Sequence, residues 1–311
     1  MPDMVSAPPR PRGFDRILPT LKRYSYPQVV VVETINRCNL NCVMCPQSEL
    51  TRPVGEMREA LFRKIVDDIA AYSPDQTELW LAIMGEVLLL GERALDYIQY
   101  AVASGIRSVN LNTNLMPADD AMCRRLVRTG LSKIIVGVDA ATRETYARIR
   151  RGGDFDRLGR NIASLLDEAA ALGTGRPEIV LQYIVQDGNR DEVQAFIDRY
   201  RGSGAILKIR QRLGWGTGVE APDLDLPAES RDYPCPWLNR SISVHVTGQV
   251  AQCDAAWNGI WYHGDLNYQT ITEAWNGPLL RLRERHWALD FSFEPCKDCR
   301  DWQCGRAELI T

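Results

Sequence analysis

The sequence predicts an α/β fold, a partial (β/α)6 barrel followed by a small α+β module built around cysteines. Three observations carry this prediction. Six apolar, β-branched runs alternate with helix-patterned stretches, glycines stand where several of those helices would stop, and eight of the nine cysteines fall into two groups. One group follows the first apolar run, and the other lies in the C-terminal quarter.

Taken in chain order, residues 1–26 form a polar, Pro- and Arg-rich leader that is expected to be loosely structured. The barrel is expected over 27–213, with strands at Gln28–Thr34, Glu78–Ile83, Ser108–Asn112, Lys133–Val138, Glu178–Gln186 and Ala205–Arg210. Several of these are nearly continuous in Val, Ile and Leu, as strands covered on both faces must be. Helical periodicity appears at Arg58–Tyr72, Ala94–Ser104, Ala118–Thr129, Arg160–Leu172 and Arg190–Arg201. Gly105, Gly130 and Gly173 supply the left-handed residue that ends a helix. Six such units leave the barrel open, with its active residues at the C-terminal ends of the strands.

Residues 214–234 are rich in Gly, Pro and Asp and are expected to form a linker that crosses the barrel mouth. The module over 235–311 opens with a hairpin, Ser241–Val246 and Gln249–Gln252 around Thr247-Gly248, and continues with an amphipathic helix at Ile271–Trp287.

Composition bounds the function. The 311 residues are 45% hydrophobic and 25% charged with a formal net charge of -3, which argues against a grip on nucleic acid or anionic lipid. The arginines at 148, 150 and 151, with Arg157 and Arg160, are expected on a solvated helix face, with an anionic-ligand site as the alternative. No eighteen-residue apolar run and no apolar signal-peptide core is present, so a cytoplasmic location is expected. In that reducing compartment, clustered cysteines bind metal or do chemistry.

Cys38, Cys42 and Cys45 lie within eight residues, directly after the first strand. Three thiolates there wrap three corners of an iron–sulfur cube and leave one iron open to a ligand. Zinc is the alternative, but zinc sites usually pair two-residue spacings and want a fourth protein ligand, and none is nearby.

The three-then-two spacing, with Asn39 after the first cysteine and Pro46 after the last, resembles the radical S-adenosylmethionine superfamily over Gln28 to about Arg210. The resemblance implies a [4Fe–4S] cluster whose open iron binds S-adenosylmethionine, an external one-electron reductant such as flavodoxin or ferredoxin, and release of a 5′-deoxyadenosyl radical. It places Met44, where the family usually has an aromatic residue, beside the adenine. Met84-Gly85-Glu86 matches in part a Gly-Gly-Glu-like turn, with Gly85 and Glu86 receiving the methionine amino group. Asn114, at the end of the third strand, suits the ribose, and Asp139 and Gln182 are further polar points at the same mouth.

Cys235 and Cys253 flank the hairpin, and Cys296 and Cys299 form a two-residue pair after the helix. Hairpin plus pair is a geometry that closes around one centre, an iron–sulfur cluster or a zinc ribbon. The segment from Cys235 to Cys304 resembles the twitch (SPASM-like) auxiliary module of aminoglycoside-tailoring dehydrogenases and epimerases, which implies a second [4Fe–4S] cluster. Cys304 is then surplus, and Cys123 reads as plain core.

A deoxyadenosyl radical takes a hydrogen atom from a strong C–H bond. A thiol on the opposite face then inverts the centre, or an electron acceptor and a base turn the carbinol into a ketone. Epimerisation is expected ahead of dehydrogenation because of the surplus thiol, with Cys304 as first donor and Cys253 as second. The expected substrate is an amino sugar or aminocyclitol. Trp215, Trp237, Trp257, Trp261 and Tyr262, with Glu220, Asp223, Asp225, Asp232 and Asp254, offer the aromatic faces and carboxylates it would need. No extra domain for a peptide leader is expected, and a peptide-modifying maturase is the alternative from another class.

Overall fold

A computed structural model describes residues 21–216, 218–219, 231, 233–259, 261–303 and 307–311. In chain order the barrel begins with β1 (Val29–Val32), a short β2 (Asn41–Cys42), α1 (Glu59–Tyr72), β3 (Glu78–Leu81), α2 (Glu92–Ala103) and β4 (Ser108–Thr113). It continues with α3 (Asp120–Arg128), β5 (Lys133–Gly137), α4 (Arg143–Ile149), a short β6 (Arg150–Arg151), α5 (Phe155–Leu172), β7 (Glu178–Val185), α6 (Val193–Tyr200) and β8 (Ile206–Gln211). Strands β1, β3, β4, β5, β7 and β8 are parallel neighbours in that order, so the six expected strands form the α/β partial barrel.

The outer layer is built as the sequence pattern requires. In α1 the residues Leu61, Phe62, Ile65, Val66 and Ile69 form one buried stripe against the sheet. Phe62 stacks on Tyr97 of α2 with ring centroids 4.2 Å apart. Each such large apolar side chain contributes about 1.5–3 kcal/mol by leaving water. Cys123, on α3, is fully buried in this core.

The C-terminal elements are α7 (Pro236–Arg240), β9 (Ser241–Val244), β10 (Gln249–Ala251), β11 (Tyr262–Asp265), α8 (Ile271–Asn276), α9 (Pro278–Trp287) and β12 (Glu308–Ile310). The expected hairpin is β9–β10. It does not stand apart: β9 pairs in parallel with β1, register Val29 to Ser241, and β12 pairs antiparallel with β8. The described residues therefore hold one ten-stranded sheet.

Two expectations are corrected. The single helix at Ile271–Trp287 is two, because Pro278 has no N–H to donate and disfavours helical geometry at Gly277, where the chain turns with ψ -113°. Residues 21–26 of the leader are tied down: Tyr26 is buried with its hydroxyl 2.9 Å from Asp68, and the carbonyl of Tyr24 accepts from Trp275 Nε1 at 3.0 Å. Among the described residues no helix is long and apolar enough to cross a membrane.

Candidate active site at the barrel mouth

The loop after β1 places Cys38, Cys42 and Cys45 on the wall of a cavity at the C-terminal ends of the strands, together with Met44, Gly85, Glu86, Asn114 and Gln182. This cavity has about 850 Å³ of space counted to the open mouth. Burial, with the neighbouring thiols after it, pushes the Cys45 thiol up to about 12; burial, with Glu86 and then Cys42 after it, pushes the Cys38 thiol up to about 11, and burial raises Cys42 as well. Nearby donors already address all three sulfurs, the backbone of Gln47 bonding Cys45. Leu40 N–H lies 3.5 Å and Asn114 Nδ2 3.6 Å from Cys38 Sγ, and Arg150 Nη1 lies 3.7 Å from Cys42 Sγ.

Gly85 is required by close approach. It has φ +84°, and a Cβ there would stand 2.3 Å from the carbonyl oxygen of Ile35 and 2.8 Å from that of Arg37. Glu86 is buried and braces two strand ends: one oxygen accepts from Thr113 Oγ1 at 2.7 Å and Leu88 N–H at 3.0 Å, the other from Asn114 N–H at 2.6 Å. Burial raises its pKa against these bonds. Gln182 borders the cavity and accepts from Arg210 Nε at 3.1 Å.

Asp139 sits behind the wall. Its carboxylate accepts from Arg150, with Nη2 at 2.5 Å, and from Ile184 N–H at 2.6 Å, so the side chain positions Arg150. Arg150 itself is a correction: it is not on a solvated face but lines the cavity with its side chain 12% exposed. Hydrogen-bonded pairing of β2 with β6, register Cys42 to Arg150, draws it in.

The second cysteine group surrounds its own cavity, lined by Cys235, Cys253, Cys296 and Cys299. Burial raises all four thiols, and at Cys253 the other three add to it. Arg231 donates to the carbonyls of Cys296 and Cys299, and Gln252 Nε2 lies 3.6 Å from Cys296 Sγ.

Between the two lies a third cavity, a chamber. It shares Gln182, Arg210, Asn112 and Leu213 with the first and Cys235, Cys253 and Cys299 with the second. Its remaining polar wall is Lys208, Asp254 and Asp301. Asp254 accepts from Ser243 at 2.5 Å, and Asp301 accepts from the N–H groups of Gly214 and Gly216 at 2.6 and 2.7 Å. The Lys208 ammonium makes no hydrogen bond or ion pair among the described residues. Burial, with Arg210 and Lys133 adding repulsion, lowers its pKa to about 7.

Of the aromatic and acidic residues expected at the substrate, Trp237 and Asp254 border the chamber and Trp215 borders the first cavity, where its Nε1 donates to the Met44 carbonyl at 2.9 Å. Trp257, Trp261 and Tyr262 line none of the three cavities. Glu220, Asp223, Asp225, Asp232 and Cys304 lie outside the described residues.

The radical SAM superfamily matches over residues 32–200, more than half of the sequence. The chain belongs to the radical SAM superfamily. An iron–sulfur cluster-binding domain matches over residues 235–300 of this radical SAM protein. It is 26% identical over 276 residues to the GTP 3′,8-cyclase of Xanthomonas campestris pv. campestris, covering 84% of this chain and 74% of that one. To a protein named probable GTP 3′,8-cyclase from Methanothermobacter thermautotrophicus it is 25% identical over 180 residues, 57% of this chain and 55% of that one, so it spans about half of that relative's length. Among solved structures it resembles BtrN in complex with AdoMet and 2-DOIA, with TM-score 0.61, 18% identity, 88% of this chain and 92% of that chain covered. It also resembles Streptococcus suis SuiB bound to precursor peptide SuiA, with TM-score 0.69, 9% identity, 93% of this chain and 74% of that chain covered. These likenesses are of fold.

As a radical SAM protein it uses S-adenosylmethionine and a [4Fe–4S] cluster, with further iron–sulfur in the second matched domain. The donor sets fit those groups. Buried thiols with raised pKa values need a metal to become thiolates, and the N–H groups aimed at Cys38, Cys42 and Cys296 suit negatively charged sulfur. Among the described residues no three His, Cys, Asp or Glu side chains converge on a single ion. Each cysteine set borders a cavity of its own.

Sequence reasoning missed Lys208, Arg210 and Asp301. A signal for the first two was present: two cations spaced two apart in an apolar strand must share one face, and here that face is the chamber.

Proposed function

We propose that this radical SAM enzyme removes a hydrogen atom from a carbinol carbon of an amino sugar or aminocyclitol in antibiotic biosynthesis and epimerises that carbon. The observation that carries the proposal is the chamber, whose wall is shared with both cysteine cavities. When bound, the cluster at Cys38, Cys42 and Cys45 with S-adenosylmethionine supplies the hydrogen-abstracting radical, and the cluster at Cys235, Cys253, Cys296 and Cys299 supplies an electron store. The chain's own residues do the rest. Asn112, Gln182 and Asp254 orient hydroxyl and amino groups, and Trp237 offers an apolar face.

In this assignment Cys253 is a cluster ligand, which leaves Cys304 as the hydrogen donor. Asp301 and Trp302, which border the chamber, closely precede it in the chain. A second reading, dehydrogenation to a ketone, is favoured by Lys208, an amine without a partner among the described residues, which would take the hydroxyl proton while the electron leaves to the second cluster. The fold shared with BtrN, solved in complex with AdoMet and 2-DOIA, is what supports a small molecule here. A nucleoside triphosphate needs several cations, whereas of the two that border the chamber Arg210 is already engaged by Gln182. We place the enzyme in the cytoplasm, fed by a flavodoxin- or ferredoxin-type reductant.

The test is turnover in deuterium oxide with a panel of aminoglycosides and aminocyclitols, each product analysed by mass and stereochemistry. One deuterium at an inverted carbon supports epimerisation, and loss of two mass units supports oxidation. A modified co-expressed peptide, with no small molecule turned over, would sink both.

A further inference from the structure

Among the described residues, Arg150 is the cationic group set against a sulfur of the first cysteine triplet. Its Nη1 lies 3.7 Å from Cys42 Sγ. The donors at Cys38, Leu40 N–H and Asn114 Nδ2, are neutral. Three features hold the guanidinium there. Cys42 and Arg150 are register partners in the β2–β6 ribbon, and Val43 N–H bonds the carbonyl of Ile149 at 3.0 Å. Asp139 takes Nε at 2.8 Å and Nη2 at 2.5 Å. Gly137 leaves room, since a Cβ there would stand 2.0 Å from Nη2. A guanidinium stays protonated throughout the working pH range, so this is a fixed charge.

We propose that Arg150 sets the reduction potential of the first cluster, its charged N–H stabilising the more negative reduced state through Cys42, with Asp139 fixing how much of that charge is felt. Hydrogen bonds to cluster sulfurs and local charge are established levers on such potentials. The step is a one-electron reduction by the external reductant, with the electron held on the cluster and no proton moved. The inference rests on the family and the local geometry, so it stands or falls independently of the substrate.

The experiment is an anaerobic redox titration of the reconstituted full chain followed by electron paramagnetic resonance. The signal that changes on adding S-adenosylmethionine is assigned to the cluster with an open iron. Arg150→Met is expected to lower the reduced-to-oxidised ratio at fixed potential about tenfold, a shift of about 59 mV for one electron. Arg150→Gln, which keeps a neutral N–H, should lower it less, and Asp139→Asn, which frees the positive charge, should raise it. Iron and sulfide content identify variants that keep the cluster. If Arg150→Met loses it, Arg150→Gln and Asp139→Asn carry the test. An unchanged or raised potential in an arginine variant, or a lowered one in Asp139→Asn, overturns the proposal.

Discussion

Gln182 and Lys208 face each other as Cα partners across the last two parallel strands, β7 and β8, and both border the chamber between the two cysteine cavities. Gln182 is engaged by Arg210, whereas Lys208 has no partner among the described residues. Its pKa, lowered to about 7 by burial with Arg210 and Lys133 adding repulsion, gives a pH test. A lysine accepts a proton only as the neutral amine, and that form grows as pH rises through about 7. Ketone formation per deoxyadenosine is therefore expected to rise over that range, whereas inversion by a thiol has no such dependence on Lys208. Lys208→Met should lower ketone yield by about 10²-fold or more while deoxyadenosine still forms. An unchanged ketone yield in that variant removes Lys208 from the chemistry.

Iron content separates the two cysteine sets. The reconstituted chain should hold about eight irons, four per cube. Replacing Cys38, Cys42 and Cys45 by alanine should leave about four and abolish cleavage of S-adenosylmethionine. Replacing Cys296 and Cys299 should also leave about four, yet retain reductive cleavage. Iron and sulfide analysis with chromatography of 5′-deoxyadenosine checks this, and zinc in place of iron in the variant lacking Cys38, Cys42 and Cys45, which keeps the second cysteine set, would contradict it.

The buried pair Arg52–Glu33 fastens the top of β1 to the C-terminal hairpin. Glu33 also accepts from Val246 N–H at 3.1 Å, and Arg52 Nε donates to the carbonyl of Trp257 at 2.8 Å. Burial raises the Glu33 pKa, so loss of the arginine strands a costly carboxylate. Arg52→Met is expected to cost about 3–5 kcal/mol, visible as a lower denaturation midpoint. The double variant with Glu33→Met should recover much of that loss, and a single-variant cost below about 1 kcal/mol would show the pair to be solvent-screened.

Gly85 cannot carry a side chain without moving the cysteine loop. Gly85→Ala places a Cβ against the carbonyls of Ile35 and Arg37 at a φ of +84°, for a cost of about 1–3 kcal/mol from the dihedral alone. Binding of S-adenosylmethionine should weaken in step with the displaced loop. Calorimetric titration of the reconstituted variant measures this, and wild-type affinity would mean that the loop relaxes freely.

Much of this protein was legible in its sequence because the signals are local. The valine run at Val29–Val32 must be a doubly covered strand, Gly173 does end α5 with φ +65°, and the spacing of Cys38, Cys42 and Cys45 fits three corners of one cube whatever surrounds it. The spacing of the later cysteines likewise anticipates four thiols around one cavity.

Long-range contacts decided the rest. Three arginines at 148, 150 and 151 look alike in sequence, and only the pairing of β6 with β2 selects Arg150 for burial beside Asp139 and Cys42. Asp139 reads from sequence as a polar residue aimed at the mouth, and Lys208 as one more residue of a strand. Whether such a group is paired or free depends on partners brought to it by the fold: Asp139 meets Arg150 and Ile184, while Lys208 meets none among the described residues. Backbone periodicity is written residue by residue, but the compensation of a buried charge is a property of the assembled neighbourhood, and only the tertiary structure supplies it.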